Sequence, residues 1–157
     1  QQSRQPRRYV NIDLAKAYTG AIYKDNDVNI QLPAGIRNGT KFVHNNIIYQ
    51  VNVAPHGVFK RANDDLLVDT EINAIEAMLG VDVILEHLDK TQLQFTIPAG
   101  IQGGQIVRLG GRGMKNPETD RVGDLLVRVT VTIPQTLSDE QRASLKTMMG
   151  HRESFNI

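Results

Sequence analysis

Four His, two close pairs of carboxylates and two glycine-bearing loops are the residues of this 157-residue chain whose types and spacing could carry chemistry. His44 and His56 fall in loop-like sequence, His87 follows a strand-like segment and His151 lies near the end of the chain. No two of them have the spacing of a helical zinc motif. Asp64-Asp65 and Asp69-Glu71 could in principle pair as acid and base. Asp69 and Glu71, however, alternate with Val68, Thr70 and Ile72, as the solvent-facing residues of one strand do. A phosphate-cradling loop needs Lys-Ser/Thr after its last Gly and then a helix. Here Gly39 is followed by Thr40-Lys41 and Gly104 by Gln105-Ile106, both leading into strand-like sequence. The chain has no Cys, which removes disulfides, thiol catalysis and Cys-based zinc sites together. The expectation is therefore a protein without catalysis, cofactor or metal, whose glycines shape turns.

The elements that hold these residues nearly repeat themselves. Pro33-Ala34-Gly35-Ile36-Arg37-Asn38-Gly39 recurs as Pro98-Ala99-Gly100-Ile101-Gln102-Gly103-Gly104, identical at five of seven positions. Each copy follows an alternating strand, Val28 to Leu32 and Leu93 to Ile97, and turns into another, Thr40 to Val43 and Ile106 to Leu109. Upstream, Asp13 to Gly20 matches Asn73 to Gly80: an Asx cap, one or two helical turns, then a Gly stop. Each short helix follows a strand, Tyr9 to Ile12 or Leu66 to Ile72. Downstream, Ile47 to Val53 matches Leu125 to Val131. The spacing between copies grows from 65 to 78 residues, so about thirteen extra residues sit around Gly110 to Gly123 of the second copy.

This pattern predicts a mainly β fold: two tandem β-sandwich-like lobes, each with one short helix and several further antiparallel strands, plus a C-terminal α-helix. The expected organisation is a basic linker or tail over 1–8, a first lobe over 9–64, a second over 65–136, and a helix and tail over 137–157. Ser138 to Gln141 reads as a capping box opening that last helix. At about twelve residues it is marginal alone and should pack on its own lobe or on a second copy.

Charge and hydropathy bound the partners. The chain carries 18 Lys+Arg against 17 Asp+Glu, with Arg4, Arg7 and Arg8 gathered at the start, so the remainder is slightly acidic. A polar terminus with three Arg reads first as a solubilising linker and second as a nucleic-acid arm. No apolar run approaches the roughly 18 residues of a membrane span, so no membrane partner is expected. The first residue is Gln1 and no secretory core follows it, which suggests part of a longer cytoplasmic protein.

Taken in order, LAKAYTG, IQLPAGIRNGTKF, APHGVFKRANDDLLVDTEINAIEAMLG, FTIPAGIQGGQIVRLGGRG and VGDLLVRVTVTIPQTLSDEQ resemble the C-terminal region of DnaJ-type J-domain co-chaperones across residues 9 to 149. The resemblance implies two stacked β-rich domains that bind unfolded polypeptides, serve a DnaK-type chaperone and pair as a homodimer through the C-terminal end. The chain contains no His-Pro-Asp triplet of a J domain and no Cys for the zinc module of one subclass. The stretch Ala21 to Asp27 is shorter than the family's two-strand excursion.

Position by position, the resemblance places Val10 and Ile12 on the first groove strand, Ile22, Tyr23 and Lys24 on the remnant of the second, and Phe59 on the groove wall. From alternation alone, Val10 and Ile12 read as core, and Phe59 reads equally as a plug between lobes. Lys24, Lys41 and Lys60 are candidates for contacting the acidic tail of the DnaK-type partner, or else solvated strand-edge lysines. Asp65 resembles the family's strand-opening Asp. The alternatives to a polypeptide-binding module are a DNA-associated relative of the curved-DNA-binding type and a structural oligomerisation scaffold.

Overall fold

Each of the three helices begins where a short polar side chain takes up a free backbone N–H. In the computed structural model, which describes residues 5–150, Asp13 accepts from the Lys16 N–H at 2.8 Å and opens α1 (Leu14–Thr19). Asn73 and Glu76 complete a reciprocal capping box that opens α2 (Ala74–Leu79). Ser138 and Gln141 do the same for α3 (Asp139–Met149). Each such cap stabilises its helix by about 1 kcal/mol. The first two helices are single short stretches that set the angle between neighbouring strands.

The strands follow the internal repeat. The first lobe holds β1 (Arg7–Ile12), the hairpin β2 (Ala21–Asp25) and β3 (Val28–Leu32), then β4 (Lys41–His44) and β5 (Ile47–Val53). The second repeats this as β7 (Asp65–Asn73), the hairpin β8 (Val81–Glu86) and β9 (Gln92–Ile97), β10 (Ile106–Leu109) and β11 (Leu125–Thr132). The main sheets have the order β1-β5-β4 and, with β6 (Lys60–Ala62) added, β10-β11-β7-β6.

Two expectations need correction. The strands are not all antiparallel: β1 pairs with β5 and β7 with β11 in parallel, with Val10 opposite Val51 and Val68 opposite Val127. The helix and the intervening strands supply the long crossover that a parallel pair requires. The end of the 9–64 stretch, assigned from sequence to the first lobe, contains β6. It folds back on β7 across a two-residue turn in which Asn63 takes a φ of 55°. Residues 60–62 thus hydrogen-bond into the second lobe's sheet.

Alternation sends one face of each main sheet inward. Val10, Ile12, Tyr49 and Val51 line the first lobe, and Leu66, Val68, Leu125, Val127 and Val129 the second, all joined in one cluster of buried side chains. The inserted residues of the second lobe form a knotted turn in which Lys115 bridges to Val122 and Met114 is wholly buried. In contrast, α3 buries no residue in the monomer, and Met148 and Met149 stand 71% and 67% exposed. Among the described residues, no helix is long and apolar enough to cross a membrane.

Candidate functional site

The lobes are clasped by an arginine of β6 and a carboxylate from the turn before β7. Arg61 Nη1 donates to the Ile36 carbonyl and Nη2 to the Gly35 carbonyl, both at 2.8 Å, while Nε donates to Asn63 O at 2.6 Å. Asp64 accepts from Arg37 Nη2 at 2.9 Å and, on its other oxygen, from Asn116 Nδ2 at 3.0 Å. Its main-chain oxygen accepts the Met114 N–H at 2.7 Å. Burial and the adjacent Arg37 cation lower the Arg61 pKa, against which Asp64 acts. Gly35 makes this junction feasible: its φ is +86°, and a Cβ there would lie 1.7 Å from the Lys115 carbonyl oxygen. The inserted residues of the second copy are thus the wedge against which the first copy's PAGIRNG turn packs.

A second seam runs through rings. Tyr18 of α1 meets His87 at 4.6 Å between ring centroids, His87 stacks on Phe59 at 5.5 Å and 14°, and Phe59 meets His56 at 5.6 Å. His87 is 3% exposed. Its Nδ1 accepts the Leu88 N–H at 2.6 Å, which assigns the ring proton to Nε2, and Nε2 donates to Arg112 O at 2.8 Å. His56 Nδ1 accepts the N–H groups of Val58 and Phe59 and shapes the turn that presents Phe59. Burial raises the Tyr18 pKa, with the Asp89 charge adding to it.

Beside this seam opens a cavity of about 290 Å³ lined by apolar Leu14, Val53, Ala54, Pro55 and Phe59 and by polar Asn38, His56, Arg61 and the exposed Lys60. It lies where α1, the end of β5 and the turn before β6 converge. A half-open, mainly apolar hollow bordered by an exposed lysine can take up one aliphatic or aromatic side chain and hold a nearby carboxylate. Desolvating such a side chain contributes roughly 1.5–3 kcal/mol before ordering costs.

The remaining residues singled out in the sequence distribute as follows. Val10 has no exposed surface and Ile12 is buried, each facing the core from β1. Alternation turns both inward, where they support the first-lobe sheet. Phe59, 3% exposed, is both a plug against His87 and a wall of the cavity. On β2, Ile22 is 63% exposed and Lys24 exposed, while Tyr23 turns in toward Tyr49 with the rings edge to face at 6.4 Å. Lys24, Lys41 and Lys60 stand exposed on three different sheets, and Lys60 alone of them borders the cavity.

The strand β2 is anchored at its end. Asp25 accepts from the Tyr49 hydroxyl at 2.8 Å and pairs with Arg8 of β1. The Tyr49 hydrogen bond, helped by Arg8, holds the Asp25 pKa below the ordinary 3.8, and the same bond raises that of Tyr49. Three of the four carboxylates that could have suggested acid-base chemistry, Asp64, Asp65 and Asp69, make structural bonds. Asp65 Oδ1 accepts the Asp124 N–H, and Asp69 pairs with Arg128. Among the described residues, no three His, Asp or Glu gather as a metal site, and His151 lies outside those residues. Sequence reasoning passed over Arg61, Tyr18 and His87 as junction residues. For Arg61 the signal was its fixed place after Phe59-Lys60, whereas nothing local in the sequence brings Tyr18 to His87.

Comparison with known proteins agrees with this arrangement. The family model described as the DnaJ C terminal domain matches residues 42–134. A chaperone protein DnaJ of Chlamydia felis is 31% identical over 152 residues, covering 88% of this chain and 39% of the relative. Those of Rickettsia bellii and Clostridium acetobutylicum are 33% and 31% identical, with 87% and 83% of this chain covered and 39% and 38% of theirs. The chain spans about two fifths of the length of these curated relatives. The chain belongs to the DnaJ C-terminal domain family.

Proposed function

We propose that this chain is the polypeptide-binding part of a co-chaperone that captures non-native clients and passes them to a DnaK-type chaperone. The observation that carries the reading is the cavity of about 290 Å³ at the lobe junction, mainly apolar in its lining and bordered by the exposed Lys60. An unfolded chain offers isolated apolar side chains on an extended backbone, and its receptor needs shallow apolar hollows near an unpaired strand edge. Phe59 forms the cavity wall, and Ile22 and Lys24 on β2 offer an exposed strand face, with Tyr23 behind it. Of the three lysines proposed for the chaperone's acidic tail, Lys60 at the rim is the best placed. A pair of chains joined through α3 would cover the methionines that the monomer leaves in water.

The test is fluorescence anisotropy with a permanently unfolded, reduced and carboxymethylated protein as probe. Ala54→Trp should fill the cavity from its exposed mouth and weaken binding about tenfold, and Phe59→Ala should weaken it comparably. Unchanged affinity in both variants, each still folded by circular dichroism, would rule the cavity out as the client site.

A second reading rests on the outer face of the first-lobe sheet. There the register sets Arg7, Tyr9 and Asn11 beside Ile48, Gln50 and Asn52, then Lys41 and Val43, a face with cations and no carboxylate. Nucleic-acid binding that weakens steeply with salt and disappears on Arg7→Glu/Lys41→Glu would favour a DNA-associated role.

A further inference from the structure

The hairpin of β2 and β3 consists of those two strands alone, so β3 has a strand partner on one side only. Among the described residues, no turn or loop backbone hydrogen-bonds to Val28–Leu32 on its other side. Along that side runs a crevice of about 410 Å³ bordered by Ile30, Gln31 and Leu32, with Phe42 of β4 within and Pro117-Glu118 of the inserted turn as the far wall. Successive strand residues point to opposite faces. Three in a row border the same crevice only if it follows the strand's edge.

The feature recurs in the second lobe. There Gln92 to Phe95 of β9 border a crevice of about 330 Å³ with Arg108 and Arg112. The two differ in chemistry: the second sets Gln92, Gln94, Arg108 and Arg112 among Leu93, Phe95 and Leu109 with no residue of the other lobe, whereas the first is mainly apolar and is bordered by Pro117-Glu118 of the neighbouring lobe.

We propose that the first-lobe crevice is a second polypeptide site, in which an extended, uncharged apolar segment adds as a strand to the free edge of β3. An unpaired row of amide groups is satisfied by another extended peptide backbone, and not by a helix or a nucleic acid. A partner strand places every second side chain over half-buried Phe42, with the buried Ile30 and Leu32 packed behind it. The charges select against an acidic segment, because Arg37 at the crevice is held by Asp64 and Glu118 is exposed on the far wall. This site is separate from the Phe59 cavity: the two have no lining residue in common.

Because the chain has no Cys, Glu118→Cys carries the sole thiol and can be labelled with a benzophenone maleimide. The probe is a biotinylated ten-residue peptide of Val, Leu and Asn, photocross-linked to the full chain. A label at Lys90→Cys, in the exposed turn before β9, is the control. Strong cross-linking at position 118 over position 90 is expected. It should survive Ala54→Trp and Ile22→Asp, which block the cavity and the β2 face. The same peptide N-methylated at alternate residues should cross-link about tenfold less, since it cannot pair along an edge. Equal labelling at 118 and 90, loss of the cross-link in Ala54→Trp or Ile22→Asp, or undiminished cross-linking of the N-methylated peptide would each overturn the proposal. Failure of the Phe59 cavity as client site would leave the position 118 result unchanged, so the two readings fall separately.

Discussion

Replacing Arg61 by Met would keep the aliphatic stem and remove the guanidinium that ties the two repeats together. In the folded protein that group donates to the carbonyls of Gly35 and Ile36, both part-buried at 2.8 Å, and its side chain is 14% exposed. Each lost charge-assisted bond to a carbonyl that water cannot reach freely costs about 1.5 kcal/mol. The two bonds across the lobe junction therefore sum to about 3 kcal/mol, and the more exposed bond to Asn63 adds less. Loss of the longer contact to Asp64 is partly offset because Arg37 still pairs with that carboxylate. For a chain of this length, such a loss lowers the melting temperature by roughly 6 to 12 °C. Urea denaturation followed by tryptophan-free probes, such as far-UV circular dichroism and Tyr fluorescence, measures it. Arg128→Met is the internal comparison: its ion pair with Asp69 is 61% and 63% exposed, so solvent screens it and its removal should cost far less. If Arg61→Met destabilised no more than Arg128→Met, the junction would not be held by this arginine, and the clasp reasoning would fail.

Gly35→Ala should be more damaging than Gly39→Ala. Both have positive φ, but only at Gly35 would the new Cβ collide with backbone, so the difference in urea midpoints isolates the clash from the roughly 1 kcal/mol conformational cost common to both. Acid stability should depend on Tyr49. Asp25 has a folded pKa below 3.8, so its contribution is present above that value and lost as pH falls through the lowered one. Tyr49→Phe should flatten the loss of stability between about pH 5 and 2, and equal slopes in the two proteins would contradict it. At the alkaline end the raised Tyr49 pKa has the opposite sense: its contribution is lost as pH rises beyond 10. Met148→Lys/Met149→Lys should shift sedimentation toward monomer without changing the melting of the β lobes, because neither side chain is buried in the single chain.

What was legible in the sequence was whatever is decided within a few residues. The Asp13, Asn73 and Ser138 caps fell where a short polar side chain precedes an apolar helical start. The strands of each copy followed the period-two alternation to within a residue or two, and β5 began and ended where its pattern did. Parallel pairing was not legible, because alternation gives the buried face of a strand but not the direction of its neighbour. Strand β6 was hidden for a different reason: with three residues, two of them charged, it has no apolar period, and it exists because Leu66 and Leu67 opposite it supply the edge. The same limit applies at the site. Val10 and Ile12 could be placed on a strand by alternation, and the structure buries both. Phe59 could not be placed by alternation, because its ring stacks on His87 from the other lobe while a cavity opens beside it.

The uneven length of the two repeats has a physical use. Two lobes with the same strand order, joined by one short segment, have no intrinsic reason to take up a single relative orientation; a contact unique to one pair of surfaces must select it. The inserted residues supply that contact by lodging Lys115 and Asn116 between Gly35 and Asp64, with Met114 wholly buried behind them. The first copy accepts them because its turn has Gly at 35 and a carboxylate-held Arg at 37, whereas the second copy has Gln102 where Arg37 stands. The asymmetry that broke the repeat in the sequence therefore sets the geometry in which the Phe59 cavity and the β3 crevice both lie against the junction. Under the proposed polypeptide-binding role, separate hollows must be held at a fixed spacing, because two weak contacts reinforce one another only when one segment can reach both.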